Sequence, residues 1–328
     1  MIIVTGGAGF IGSNLTAALE AAGRSDLVVV DRLGTDDKWR NLAKRELAAI
    51  VPPEDLPAWL ARHGDTVSMV FHLGAISSTT ERDADLIIAS NFTLSLFLWD
   101  WCTAHGVRFV YASSAATYGG AADGFDDDGS PAALAALRPL NPYGWSKHLF
   151  DRRVARLVAE GRPTPPQWAG LKFFNVYGPN EAHKGGMSSV VAQMLPRVVA
   201  GEPARLFRSH RPDYADGGQR RDFVHVDDCV AVMLWLHERP DVSGLFNLGT
   251  GQARSFLDLA TAVFRAAGQP PRIEYVDTPV EIRDRYQYFT QARMDRLRAA
   301  GYPGQFVPLE EGVRRYVQDF LLAPDPYR

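Results

Sequence analysis

The sequence predicts an α/β protein built on a doubly wound parallel sheet, with a smaller C-terminal lobe interleaved with it. Three observations carry this. Short β-branched runs alternate with helical patterns through the first half of the chain, as βαβ units require. A glycine-rich turn follows directly on the first strand. After Phe174 the alternation loosens into glycine-rich loops between helices, too interleaved for an independent domain. The 328 residues are enough for one large domain and a second lobe.

In chain order, the strand candidates of the first half are Met1–Val4, Leu27–Val30, Met69–Leu73, Phe109–Ala112 and Gly170–Phe174. Amphipathic helices lie between them at Asn14–Ala22, Ala84–Thr103 and Pro142–Val158, each with an apolar stripe at helical spacing. Asp123–Ser130 and Glu160–Gln167 read as loops, and Asp126–Asp128 as a solvated acidic face. Beyond Phe174 come a helix at Ser188–Ala200, a strand at Asp222–Val226, a helix at Asp227–Glu238, a strand at Leu245–Leu248 and a helix from Ser255.

Composition narrows the class. A net charge of −3 offers no basic surface for nucleic acid or anionic lipid. Met1 runs straight into a strand, without the charged and apolar regions of a leader, and no apolar run is expected to reach the ~18–20 residues that span a bilayer. The cytoplasm is the expected setting. Cys102 and Cys229 have no CxxC spacing and sit in apolar helical stretches, as buried thiols do. The eight histidines form no paired motif, so no metal site is expected.

Gly6-Gly-Ala-Gly9-Phe10-Ile11-Gly12 ends a buried strand and opens a helix, the context a dinucleotide fingerprint requires. Its glycines permit a tight turn and close approach to a pyrophosphate, and the helix N-terminus offers free N–H groups to the phosphates. The sheet is therefore Rossmann-type. Residues 1–172 form the dinucleotide-binding domain, with segments near 222–250 and 284–296 expected to return to it; 173–328 form mainly the substrate lobe. Asp31 closes the second strand 19 residues after Gly12, where a carboxylate meets the adenosine ribose. Asp31 favours the free hydroxyl of NAD. Arg32 and Lys38 are either surface charges or partners for the 2′-phosphate of NADP. The residue types leave the two cofactors near a tie. Leu73-Gly74-Ala75 ends a later strand where a loop passes the cofactor, and Asn91 either caps its helix or reaches toward the nicotinamide.

Tyr143 and Lys147 are four residues apart on a helix opened by Pro142, so they share a face. An ammonium beside a phenol favours phenolate, and the tyrosine can then take a hydroxyl proton as hydride leaves the carbon. Ser114, ending the strand Phe109–Ala112 and its hydroxyl-rich extension, is placed to bond the reacting oxygen or, more plainly, to satisfy a turn. A second ionisable group, Lys184, lies in the loop Asn175–Met187. On local sequence it is a second acid/base, a phosphate ligand or a surface lysine.

Fingerprint, Ser114 and Tyr143/Lys147 together resemble the extended short-chain dehydrogenase/reductase superfamily. Its dehydratases carry an Asp-Glu pair after the hydroxyl residue, and here those positions are Ala115-Ala116, so redox without elimination is expected. Further segments narrow the resemblance: Ser77-Ser-Thr-Thr-Glu81, Ala112-Ser-Ser-Ala-Ala-Thr-Tyr-Gly-Gly120, Phe174-Asn-Val-Tyr-Gly-Pro179, His183-Lys-Gly185, Arg221-Asp-Phe-Val224, Phe246-Asn-Leu-Gly-Thr-Gly251 and Arg285-Tyr-Gln287. Nearly end to end, the chain resembles the ADP-L-glycero-D-manno-heptose 6-epimerase family, which inverts C6 of a heptose used in lipopolysaccharide cores. The resemblance implies NADP, with NAD as the alternative, an ADP-heptose substrate, and a homo-oligomer, possibly a pentamer. It casts Tyr143 and Lys184 as two acid/base groups, one for each epimer. It places Val176 and Lys184 beside the cofactor, and Asn175, Gly186, Gln193, Phe207, Arg221 and Tyr286, with Ser114, on the substrate. Arg221 suits a diphosphate, since guanidinium pairs bidentately with phosphate oxygens. The chain departs from the pattern at Gly186 and Gln193, where the family places serine and histidine. It also departs at Pro53, where the family has a phosphate-binding lysine, and in a longer loop, Arg208–Gln219. Two other readings compete. A UDP-hexose 4-epimerase would dispense with Lys184, and a non-catalytic nucleotide sensor would lose Tyr143 or Lys147.

Overall fold

Every residue of the first strand, β1 (Ile2–Thr5), is buried, and its side chains alternate between two hydrophobic cores. Ile2 and Val4 enter one and Ile3 the other, which a two-residue period enforces when both faces of a sheet are covered. The computed structural model describes residues 1–120, 124–283 and 286–328, without the side chains of 281 and 282. Asp123, at the head of the expected acidic loop, and Arg285 lie outside the described residues.

The dinucleotide half continues with α1 (Phe10–Ala21), β2 (Leu27–Val30), β3 (Ala49–Val51), α2 (Leu56–His63), β4 (Met69–His72), α3 (Ala84–Ile87), α4 (Leu94–His105), β5 (Arg108–Ser114), α5 (Pro131–Ala136), α6 (Pro142–Ala159) and β6 (Trp168–Phe173). The rest comprises β7 (Asn175–Tyr177), α7 (Val190–Val199), β8 (Ala204–Phe207), β9 (Arg220–His225), α8 (Val226–Glu238), β10 (Gly244–Leu248), β11 (Ala253–Ser255), α9 (Phe256–Ala266), β12 (Ile273–Val276), α10 (Val280–Arg283), α11 (Asp295–Ala299) and α12 (Leu309–Tyr316).

The main sheet has seven strands in the order β10-β6-β5-β4-β1-β2-β3, paired in parallel throughout. This is the doubly wound arrangement expected. Met69, Phe71 and Val110 face the same core as Ile2, whereas Val70, Phe109 and Tyr111 face that of Ile3. Of the segments expected to return, β10 enters the sheet beside β6, while β9 pairs with β7 and β11. A third core, from α7, α9, α12 and β8, holds the smaller lobe together.

Three expectations are corrected. The acidic run is not all solvated: Asp126 and Asp128 are exposed, but Asp127 is buried and accepts the backbone N–H of Asn247 at 2.7 Å. Burial pushes the Asp127 carboxyl up to about 6, and the Asn247 N–H opposes that shift. Ala84–His105 forms one 22-residue helical run apolar enough to cross a bilayer, against the expectation that no segment qualifies. Its Leu98, Trp99 and Cys102 pack onto the sheet, and its Asn91 and Ser95 bury polar atoms in a bonded network. Asn91 does not cap a helix. It lies inside that run, in a π-helical turn at Ile88–Thr93.

Both cysteines are free and buried, as expected. Behind the sheet's C-terminal edge, Lys172 and Asp151 form an ion pair of 2.8 Å with both side chains fully buried. Asp151 also accepts from Ser113 and Tyr111, and Lys172 donates to Thr117 at 2.6 Å. Removing one partner of such a pair strands the other charge. Lys172→Met is therefore expected to destabilise the protein by about 3–5 kcal/mol, read from urea unfolding midpoints.

Candidate functional site

The sheet order reverses between β1 and β4, and there, beyond the carboxyl ends of the strands, a cleft of about 470 Å³ opens. Its floor exists because backbone meets backbone without side chains. A Cβ on Gly6 would lie 2.6 Å from Gly74, and one on Gly12 would lie 2.1 Å from the Gly6 carbonyl oxygen. Helix α1 starts at Phe10 with Gly9 extended before it and no side-chain cap, so its first N–H groups remain available to a phosphate. Gly6, Gly9, Phe10, Ile11, Gly12, Leu73, Gly74, Ala75, Val176 and Lys184 all line the cleft. This glycine cradle fits a dinucleotide.

On the adenosine side Asp31 and Lys38 line the cleft and pair at 2.6 Å. Asp31 also accepts the Ala8 N–H of the glycine turn at 2.9 Å. Arg32 points elsewhere, to Glu54 at 3.0 Å, and both side chains are largely exposed. Asn91 is outside the lining. Its amide bonds both backbone groups of Ile76 and donates to the Ser146 hydroxyl, so it ties the segment after β4 to helix α6.

Helix α6 delivers the tyrosine. Asn141 caps it by accepting the Gly144 N–H at 2.8 Å, and Pro142 occupies the first turn. A Cβ on Gly144 would lie 2.7 Å from the Ala116 carbonyl oxygen, so the missing side chain lets the helix start against the turn that follows β5. Tyr143 thereby faces Ser114. Burial pushes the Tyr143 phenol above its ordinary value, and the hydrogen bond with Ser114 draws it back. The expected lowering by Lys147 is thus not what this environment produces, because desolvation of the phenolate is the larger effect. Lys147 is itself buried and pushed down to about 8 by desolvation, against the pull of Asp151. Ala115 and Ala116 sit in the 3-10 turn after Ser114, so neither of these two positions supplies a carboxylate for elimination.

Lys184 reaches the cleft from a 3-10 segment, Ala182–Met187. Its Nζ lies 5.0 Å from the Phe10 ring centre and 3.9 Å from the Glu181 carboxylate. Burial lowers the Lys184 ammonium's hold on its proton, and Glu181 opposes this. The segment is pinned to the glycine turn: Asn41 donates to the carbonyls of Ala8 and Asn180 and bonds the His183 ring. Asn14 of α1 donates to the Pro179 carbonyl.

Tyr143, Lys147, Ser114, Asn175 and Lys184 therefore line one cleft. The remaining expected substrate residues fall in two groups beyond its lining. The Arg221 guanidinium lies between the Tyr286 and Phe256 rings, at 5.4 and 5.6 Å, and Phe207 packs edge-on to Tyr286 at 5.9 Å. Gln193 donates to the carbonyls of Gly186 and Ser188, so these two departures from the family pattern contact each other. Sequence reasoning missed Glu181, Gly144, Phe256 and Tyr316. Gly144 was visible inside Tyr143-Gly-Trp-Ser-Lys147, but its role depends on Ala116, a contact between segments that spacing does not show.

A parallel sheet carries a glycine cradle that fits a nicotinamide dinucleotide, with a serine, a tyrosine and two lysines gathered beside it. Residues 2–249 match the NAD dependent epimerase/dehydratase family, and the chain belongs to that family. It is 51% identical to an ADP-L-glycero-D-manno-heptose-6-epimerase of Nitratidesulfovibrio vulgaris (strain DP4), covering all of both chains. It is 43% identical to that of Fusobacterium nucleatum, again over all of both. Among solved structures, the Helicobacter pylori ADP-L-glycero-D-manno-heptose-6-epimerase superposes with a TM-score of 0.79 at 26% identity, with 97% of this chain and 95% of that one covered. The Thermus thermophilus UDP-glucose 4-epimerase, in complex with NAD, superposes at 0.76 with 28% identity, covering 98% and 99%.

Gly12→Ala is expected to weaken nicotinamide dinucleotide binding by about 1.4–2.7 kcal/mol, roughly ten- to hundredfold in Kd, because the new methyl cannot coexist with the Gly6 carbonyl. Calorimetric titration of the purified variant reads this directly.

Proposed function

We propose that this chain is an isomerase that inverts C6 of the heptose in ADP-D-glycero-β-D-manno-heptose to give the L-glycero epimer, for lipopolysaccharide core synthesis. The observation that carries the reading is the convergence of Tyr143 and Lys184 on one cleft beside the glycine cradle. The full-length similarity to heptose 6-epimerases supports the substrate. C6 carries an ordinary secondary alcohol, too weakly acidic to invert by deprotonation, so the route runs through a ketone. A bound nicotinamide supplies the carbon that accepts hydride from C6 and returns it, and a positive charge when oxidised.

Either Tyr143 or Lys184 removes the hydroxyl proton as hydride leaves C6. After the sugar end turns, the other returns a proton to the ketone oxygen as hydride comes back to the opposite face. The substrate regains its hydride and proton and only its configuration changes, while the two side chains end with exchanged protonation and reset through solvent. Two groups suit the task because a single base does not reach the oxygen in both orientations. Ser114 donates to that oxygen and opposes the rise that burial imposes on the Tyr143 phenol, while Lys147, an ammonium below about pH 8, lines the same cleft. Arg221, set between Tyr286 and Phe256, holds the diphosphate. The proposed assembly is a homo-oligomer, a pentamer, in the cytoplasm.

With ADP-D-glycero-β-D-manno-heptose, the wild-type protein is expected to form the L-glycero epimer. Tyr143→Phe and Lys184→Ala should each slow it by about 10²–10⁴-fold while retaining cofactor. Conversion of UDP-galactose and not the heptose would make it a 4-epimerase instead, and wild-type turnover in Lys184→Ala would remove the two-base scheme.

The preferred cofactor is NADP. Asp31 accepts the Ala8 N–H of the glycine turn and is paired with Lys38, so its repulsion of a 2′-phosphate is offset and a cation stands beside it, which supports this reading. Lys38→Ala should weaken NADP binding by about tenfold and leave NAD binding nearly unchanged, as read by titration of each cofactor. Equal losses for both would favour NAD.

A further inference from the structure

Glu181 has no part in the chemistry above, yet its carboxylate sits directly behind Lys184. The residue is 1% exposed. Its oxygens accept the Ser189 backbone N–H at 2.6 Å, the Ser189 hydroxyl, and the Tyr316 hydroxyl at 2.9 Å, while Oε2 lies 3.9 Å from Lys184 Nζ. Ser189 caps α7 and Tyr316 belongs to α12, so donors from two separate elements fix one carboxylate. Anchoring the start of α7 explains the Ser189 bonds. It does not explain why the charge is placed within reach of the lysine that faces the cleft.

The surroundings of Lys184 make this charge matter. The Phe10 ring of α1 covers it on one side, and His183 adjoins it on its own turn. Tyr143 and Lys147 of α6 line the same cleft, and Asp31 and Lys38 line its adenosine end. Burial alone would favour the neutral amine, and Glu181 is the carboxylate that acts against it. Burial raises the Glu181 carboxyl as well, while Ser189, Lys184 and Tyr316 oppose the rise and so favour its charged form.

We propose that Glu181 is a positioning residue for Lys184, its fixed carboxylate holding the ammonium over Phe10 and setting how readily it releases its proton. This rests on the reading of Lys184 as an acid/base group. An acid/base lysine must serve as ammonium in one direction and amine in the other. Burial draws Lys184 toward the amine and the Glu181 carboxylate draws it toward the ammonium. Dividing the Glu181 charge among Ser189, Tyr316 and Lys184 gives an intermediate attraction.

The test uses the holoenzyme. Acetylation of Lys184 by acetic anhydride is followed against pH by peptide mass spectrometry in wild type, Glu181→Gln and Glu181→Asp, alongside the pH profile of turnover. Loss of the negative charge disfavours the ammonium, so the labelling midpoint in Glu181→Gln should fall by about one pH unit. The Lys184 limb of kcat should move the same way, and Glu181→Asp should restore part of the shift. An unmoved midpoint in a Glu181→Gln protein with wild-type circular dichroism and cofactor binding overturns the proposal. If Glu181→Gln does not fold, Glu181→Asp withdraws the charge while keeping it, and an unmoved midpoint there overturns it equally. Lys184→Ala separates the two ideas: wild-type turnover in that variant removes the catalytic reading, whereas the labelling result bears on Glu181 alone.

Discussion

Everything in this structure depends on three backbone segments meeting without side chains between them: the turn after β1, the first turn of α1 and the loop after β4. Gly6, Gly12 and Gly74 approach one another so closely that a single methyl at Gly12 would overlap a carbonyl oxygen. That approach brings the α1 N-terminus to the cleft floor. It also sets the Phe10 ring where Lys184 lies over it, and leaves the Ala8 backbone within reach of Asp31 and Asn41. The two sides of the cleft are built on this one contact.

A buried polar chain carries the same registration to the catalytic helix. The Thr5 hydroxyl accepts the Gly74 N–H and bonds the His72 ring, whose other nitrogen meets the Ser95 hydroxyl at 2.8 Å. Ser95 donates to the Asn91 carbonyl, Asn91 to the Ser146 hydroxyl, and Ser146 to the Tyr143 carbonyl. Burial pushes His72 down to about 3, so it serves as a neutral link. Such a chain is costly when half-satisfied and rigid when complete. Here it joins β1, β4, α4 and α6, the elements that must agree for Tyr143 to face the cofactor cradle.

Much of this was legible in the chain. β2 falls at Leu27–Val30 as expected, and α6 begins at Pro142 as the proline signals. The glycine fingerprint and Tyr143/Lys147 each occupy a few adjacent turns, where local spacing dictates geometry. β3 escaped notice because Ala49–Val51 is a three-residue edge strand with one exposed side chain and no clear alternation. The C-terminal helix α12 was missed because its apolar residues matter only once they meet α9 and α7. Asn91 was read through its own helix, although its partners Ile76 and Ser146 belong to other segments.

By itself, then, the sequence determined the parallel sheet, the cofactor cradle, the tyrosine–lysine face and the absence of an elimination pair. Each is written in neighbours a few residues apart, and backbone geometry converts such spacing into position. Only the tertiary structure decided which charges act on which bases. It turned Arg32 away to Glu54, paired Lys38 with Asp31, made burial the larger influence on Tyr143, and set Glu181 behind Lys184 with Tyr316, 135 residues further along the chain, as its donor. Desolvation and Coulomb attraction depend on distance through space and on the exclusion of water, and neither exists until the chain has packed.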